Sequence, residues 1–390
     1  MNIKKMLKFA LRRNLIYPLQ LLIWNTLRDI ESFLIDYFFD IDDLALYTPL
    51  MFLGEFLAGL IFYLYQRHFL SKGKSKKPIG FMSIEFIQTE EIFAKDNDFK
   101  ILFLIFTSAF SDFIQYIISI HLSKFITLSG SLELRLNGTY TINNAFFSYF
   151  ALRLPIYRHQ SFSLKIIGIC LLIIILTEFI FQQYNIFLSF GQFILVLFFI
   201  FIIQFISALE VSTEKYLFEY NKISPFLVLM LEGFFGLICC TYFIFNNPLI
   251  DIIKFKKNKS STEFIFLIIA LCFYCILCGG KNLFRVVTTK IYTPMTTTFM
   301  EYILNPFYII YYFVFGNDFI SYGKKNVAYF VINLIVALVL TFCGCVFNEF
   351  LILFCCKLEK ETHDQIVLRA MIDNDDNIFN VNYDDDETEV

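Results

Sequence analysis

The chain has 390 residues, 57% hydrophobic and 17% charged, with a net charge of −3 and a mean hydropathy of +0.63. Soluble domains carry about 25% charged residues, so this composition excludes an ordinary water-soluble globular protein. The slight negative balance, with no basic stretch interleaved with aromatics, argues against nucleic acid as a partner.

Apolar runs of about 20 residues, the length that crosses ~30 Å of hydrocarbon, predict an all-α membrane protein with about ten transmembrane helices. The runs lie at 15–37, 46–65, 101–122, 125–150 and 164–183, then at 189–210, 225–246, 263–283, 292–315 and 326–355. They are too long and too apolar for membrane β-strands. The basic N-terminus lacks an apolar run ending at a small-residue cleavage site, so the first span is expected to direct insertion itself. That first run carries Arg28, Asp29 and Glu31, which leaves open whether it crosses the bilayer or lies in its interface.

Basic residues orient the spans. With the N-terminus cytosolic, the cytosolic segments hold 23 Lys and Arg against 7 opposite, four of those seven being Lys254, Lys256, Lys257 and Lys259. Both termini are therefore expected in the cytosol. Residues 1–14 form a cytosolic N-terminus, 15–183 a first five-helix unit, 189–356 a second, and 357–390 an acidic tail too polar to bury a core. In that tail Thr388-Glu389-Val390 could bind a PDZ-type partner through its carboxylate. Cys355 and Cys356 sit at the end of the last span, where palmitoylation or simple interfacial burial are the alternatives. Asn258-Lys259-Ser260 is a sequon close to the membrane, and a homodimer stays open as an assembly state.

The two units repeat a pattern. Pro49, Glu55 and Gly59 in the second span correspond to Pro225, Glu232 and Gly236 in the seventh, and Ser123-Lys124-Phe125-Ile126-Thr127 to Thr289-Lys290-Ile291-Tyr292-Thr293, 166 residues later. Five spans is an odd number, so the second unit enters the membrane inverted. Inverted repeats place a substrate site at their interface, near the midplane, with alternating access by rocking.

Charges inside spans are costly and are by default functional or paired. Asp112 lies 11 residues before Ser123 and Arg135 lies 12 after it. Antiparallel neighbours would set both about 17 Å from the turn at 1.5 Å per residue, which predicts an Asp112–Arg135 interaction. The 166-residue shift carries Arg135 onto Glu301, in a span with Pro294 and Pro306; an Arg135–Glu301 pair in one access state is a further expectation. Glu55 and Glu232 could carry protons or merely accompany glycine-mediated helix packing. Glu214, Lys215, Lys281, Asn282, Arg285 and Lys290 read as interfacial anchors, a subset of which would make an electropositive vestibule if turned inward. The four histidines are isolated and no H-E-x-x-H is present, so no catalytic activity, cofactor or metal is expected.

These motifs resemble the drug/metabolite transporter superfamily, and within it the F-type members of solute carrier family 35, relatives of the nucleotide-sugar transporters. The residues that carry the resemblance are Met51 to Phe56, the Asp112–Arg135 spacing, Glu214-Lys215, Ser224-Pro225, Glu232-Gly233, Phe235-Gly236, Asn282, Val287 to Lys290 and Thr296-Thr297. The resemblance implies ten spans around a central cavity and movement of a small organic solute across an endomembrane such as the Golgi, endoplasmic reticulum or a lysosome-like compartment. Glu55, Asp112, Arg135, Glu232, Asn282, Lys290, Thr297 and Glu301 are the residues expected to bind or gate an anionic solute. A non-transporting scaffold or receptor on the same fold is the alternative.

Overall fold

The computed structural model describes residues 16–39, 44–71, 98–125, 130–182, 190–241, 261–315, 320–321 and 324–351. The N-terminal stretch, the sequon at Asn258, the lysines at 254–259, Cys355, Cys356 and the acidic tail lie outside them. The described residues form α1 (Ile16–Phe39), α2 (Leu44–Ser71), α3 (Asp98–Phe125), α4 (Gly130–Arg135), α5 (Gly138–Phe150), α6 (Arg158–Gln182), α7 (Phe190–Tyr220), α8 (Pro225–Cys239), α9 (Ser261–Ile291), α10 (Pro294–Tyr302), α11 (Asn305–Val314) and α12 (Val327–Phe347). Beyond the helices, β1 (Ile320–Ser321) pairs antiparallel with β2 (Lys324–Lys325) just before α12.

Six helices, α2, α3, α6, α7, α9 and α12, are long and apolar enough to cross a membrane. The chain is an all-α, multi-pass membrane protein. Its outer faces agree: Ile169, Leu172, Leu176 and Ile180 on α6, and Ile265, Phe266, Ile269 and Ile276 on α9, are each more than half exposed, a density of apolar surface that hydrocarbon tolerates and water does not.

The remaining runs depart from simple spans for local reasons. α1 is one continuous helix, and two of its charges meet each other: the Arg28 guanidinium bonds Asp29, whose carboxylate also accepts the Tyr308 O–H at 2.6 Å. The run at 125–150 is broken at Leu136–Asn137, between α4 and α5, and the run at 292–315 is broken at Ile303–Leu304, between α10 and α11. Each break frees carbonyls that lipid could not satisfy. Leu134 O, which accepts the Asn137 N–H at 3.3 Å, also accepts from the Asn305 amide at 2.6 Å, so one broken segment supports the other. Pro306 stands at the first turn of α11, where its missing N–H costs nothing.

Packing is dense where glycines let backbones touch. α2 crosses α8 at Gly59 and Gly233: a Cβ on Gly233 would lie 2.3 Å from Phe56 N, and one on Gly59 2.4 Å from Met230 N. Only hydrogen fits there. The helices associate in a defined pattern. α1 packs on α9 and α7 on α3; α2 on α9 and α8 on α3; α5 on α7 and α10 on α1; α5 on α6 and α11 on α12. α2 also meets α8, α6 meets α12, α5 meets α10 and α4 meets α11. At one end of the molecule α7, α9 and α10 additionally close on one another.

Candidate functional site

Polar residues recur at helical spacing on three long apolar helices: Asp112, Gln115, Tyr116 and Ser119 on α3, Gln204, Ser207 and Glu210 on α7, and Lys281, Asn282 and Arg285 on α9. Intervals of three and four residues put each set on one face. With lipid outside, those faces turn toward each other. They enclose a two-lobed cavity in the middle of the helical bundle.

The inner lobe, about 110 Å³, has Asp112, Glu210, Lys281, Asn282, Arg285 and Glu301 in its wall. The outer lobe, about 200 Å³, extends past Ser119, Glu133 and Asn137 toward the end where α3 stops and α4 begins. Gln115, Tyr116, Tyr140, Ser207 and Glu301 belong to both walls.

The inner lobe is organised around one guanidinium. Arg285 Nη1 lies 2.5 Å from Glu210 Oε1, Nη2 lies 2.9 Å from Glu214 and 3.9 Å from Glu232. Gln115 Nε2 donates to Glu210 Oε2 at 3.0 Å, and Ser207 in turn donates to Gln115. Asn282 Nδ2 donates to Glu55 at 2.5 Å. Lys281 Nζ stands 3.7 Å from Glu301. Arg285, Glu55, Glu214 and Glu232 are all buried, so these charges are held by one another rather than by water.

At the closed end the contacts run between α7, α9, α10 and the end of α12. The Lys215 ammonium donates to the carbonyls of Lys290 at 2.9 Å and Tyr292 at 2.7 Å and pairs with Glu219 at 2.7 Å. The hydroxyls of Thr289 and Thr297 are 3.0 Å apart, and Thr296 donates to Asn348 at 2.8 Å.

Five of the eight residues singled out from the sequence, Glu55, Asp112, Glu232, Asn282 and Glu301, gather at the cavity or around Arg285. Lys290 and Thr297 lie at the closed end. Arg135 belongs to neither. Its guanidinium pairs with Glu178 of α6 and reaches Tyr329 and Asn333 of α12 at 3.1 Å each, while Tyr329 also donates to Glu178. The expected Asp112–Arg135 interaction is therefore replaced by Arg135–Glu178, and Glu301 faces Lys281 rather than Arg135. The reason is packing: α3 lies on α7 and α8, whereas α4 lies on α11, so equal depth did not make Asp112 and Arg135 neighbours.

Glu214, Lys215, Asn282 and Arg285, read as interfacial anchors, are instead buried, and turned inward they do not make the electropositive vestibule that was the alternative. α7 continues as helix to Tyr220, which carries Glu210 and Glu214 into the interior, and the inward-facing cations Lys281 and Arg285 meet carboxylates. Glu178 and Glu210 were missed in the sequence, although each is a lone acid within or at the end of an apolar run.

Comparison with family models finds no match, and no curated protein matches the chain.

Proposed function

We propose that the chain is a secondary transporter that moves a small polar organic solute across a membrane by alternating access, within the drug/metabolite transporter superfamily that its motifs resemble. The observation that carries this reading is the charged cavity among the spans, extended toward one end of the bundle and sealed toward the other by Lys215, Thr289, Thr297 and Asn348.

Ten spans in two inverted units are supported by the packing pattern. Exchanging each span for the one five places on turns α1–α9 into α7–α3, α2–α9 into α8–α3, α5–α6 into α11–α12 and α4–α11 into α10–α5, and all of these pairs are in contact. The two helix breaks, at 136–137 and 303–304, are 167 residues apart, one residue from the offset of the sequence repeat. Discontinuous helices at matching places in two halves are what midplane binding sites of such transporters are built from. Among the described residues, the close approach of α7, α9 and α10 has no equally close counterpart among α1, α3 and α4. That asymmetry supports reading the structure as one access state, closed at the end that the positive-inside rule would put in the cytosol.

Accessibility tests it. In a background without reactive native cysteines, Ser119→Cys is expected to react with a membrane-impermeant thiol reagent applied from the α3–α4 end, and Thr297→Cys, fully buried, to stay protected until the protein turns over. Equal, unchanging reactivity at both positions contradicts alternating access.

A further inference from the structure

We propose that the cavity takes a small organic cation, a protonated or quaternary amine, with Asp112 as its counter-charge. The proposal deepens the transporter reading and rests on it for what happens to the solute once bound.

The charges in the two lobes are four carboxylates, Asp112, Glu133, Glu210 and Glu301, against two cations, Lys281 and Arg285. Neither cation is free for an anionic solute. Arg285 faces Glu210, Glu214 and Glu232 together, and Lys281 faces Glu301. Glu232, almost fully buried, stands 3.9 Å from Nη2, so the single positive charge of Arg285 already faces three acids. Asp112 and Glu133 line the cavity and form no ion pair within 4 Å among the described residues, Arg285 and Lys281 acting on Asp112 only from farther off. A carboxylate left this way within the spans calls for a positive partner, and a second anion beside it would meet repulsion in a medium that screens poorly.

The walls fit the same ligand. Tyr116, Tyr140 and Tyr302 bring three aromatic rings to the cavity, and carboxylate with aromatics is the combination that holds ammonium groups. The hydroxyls of two of them are engaged elsewhere, Tyr116 with Met51 Sδ at 2.7 Å and Tyr302 with Thr141 at 2.8 Å. The two lobes, about 110 and 200 Å³, together reach only the lower end of the ~300–1,000 Å³ of drug-sized sites, which points to a small solute. A metal ion is the poorer fit, because no group of three or more His, Cys, Asp or Glu among the described residues is placed to hold one.

The test uses the purified full chain in lipid nanodiscs. Thermal unfolding and equilibrium binding are followed with a series of ammonium ions from methylammonium to choline, with 3,3-dimethylbutanol as the uncharged counterpart of choline and with 3,3-dimethylbutyrate as an anion of similar size. At least one ammonium ion is expected to stabilise the protein saturably, the neutral and anionic analogues to have no effect, and Asp112→Asn to weaken the ammonium at least tenfold, with Glu133→Gln weakening it less. Asp112 makes no hydrogen bond among the described residues, so the isosteric Asn variant should fold; if it does not, the contrast between choline and its neutral counterpart decides alone. Stabilisation by the anion, equal stabilisation by the neutral analogue, no response to any ammonium ion, or full affinity in Asp112→Asn overturns the proposal. Uptake into liposomes separates the two readings: an anion that is transported while no cation binds refutes the cation site and leaves the transporter, and a cation that binds without crossing does the reverse.

Discussion

Replacing Glu178 with Gln removes the charge that faces Arg135 while keeping the side chain's shape. Both residues are almost wholly buried, and the guanidinium keeps neutral partners in Tyr329 and Asn333, at 3.1 Å each. Breaking a buried pair on one side costs about 3–5 kcal/mol. The two surviving bonds hold the loss near the lower limit, about 3 kcal/mol, which is roughly a hundredfold in the folding equilibrium. Glu178→Gln is expected to unfold at correspondingly lower SDS in mixed micelles. The double variant Arg135→Met/Glu178→Met, with no charge left to strand, should recover to within about 1 kcal/mol of wild type. An unchanged Glu178→Gln, or a double variant as unstable as the single, would refute the reasoning that this pair ties α4 to α6 and α12.

Gly233→Ala forces a Cβ to within 2.3 Å of Phe56 N and is expected to destabilise the α2–α8 crossing by about 1–3 kcal/mol, read by the same unfolding assay. Asn282→Leu leaves the buried Glu55 carboxylate without its 2.5 Å donor and should cost about 1–3 kcal/mol; a neutral result would mean that Glu55 finds another partner. Lys215→Met removes the two bonds to the carbonyls of Lys290 and Tyr292, and labelling at Thr297→Cys should then accelerate several-fold as the closed end loosens.

Span positions were legible because hydrocarbon imposes length and composition together, and α2, α3, α6, α7, α9 and α12 fall where apolar runs predicted them. The break at Ile303–Leu304 had a signal in Pro306. Its counterpart at Leu136–Asn137 had only Asn137-Gly138, which as a bare dipeptide inside an apolar run carries little information. That Glu55, Asp112, Glu232 and Glu301 turn into the bundle was also readable, since lipid expels charges from every other face, whereas Glu178 was passed over and the buried Glu214 and Arg285 read as interfacial anchors. The partners of these charges were not readable. Depth along the membrane gives one coordinate, and pairing requires the other two, which depend on how spans distant in sequence pack. Arg135 meets Glu178 across 43 residues and Asn333 across 198, separations that no spacing rule reaches. Glu210 was hidden for another reason: the apolar run ends there although the helix does not.

Uptake into liposomes containing the purified chain tests the central claim most directly, with wild type beside Glu210→Gln, in which Arg285 loses its nearest carboxylate. Saturable uptake of a small charged organic solute, accelerated by the same solute loaded on the far side and lost in the variant, is the predicted result. Well-folded wild type that moves no solute from a panel of organic cations, anions and nucleotide sugars would contradict it.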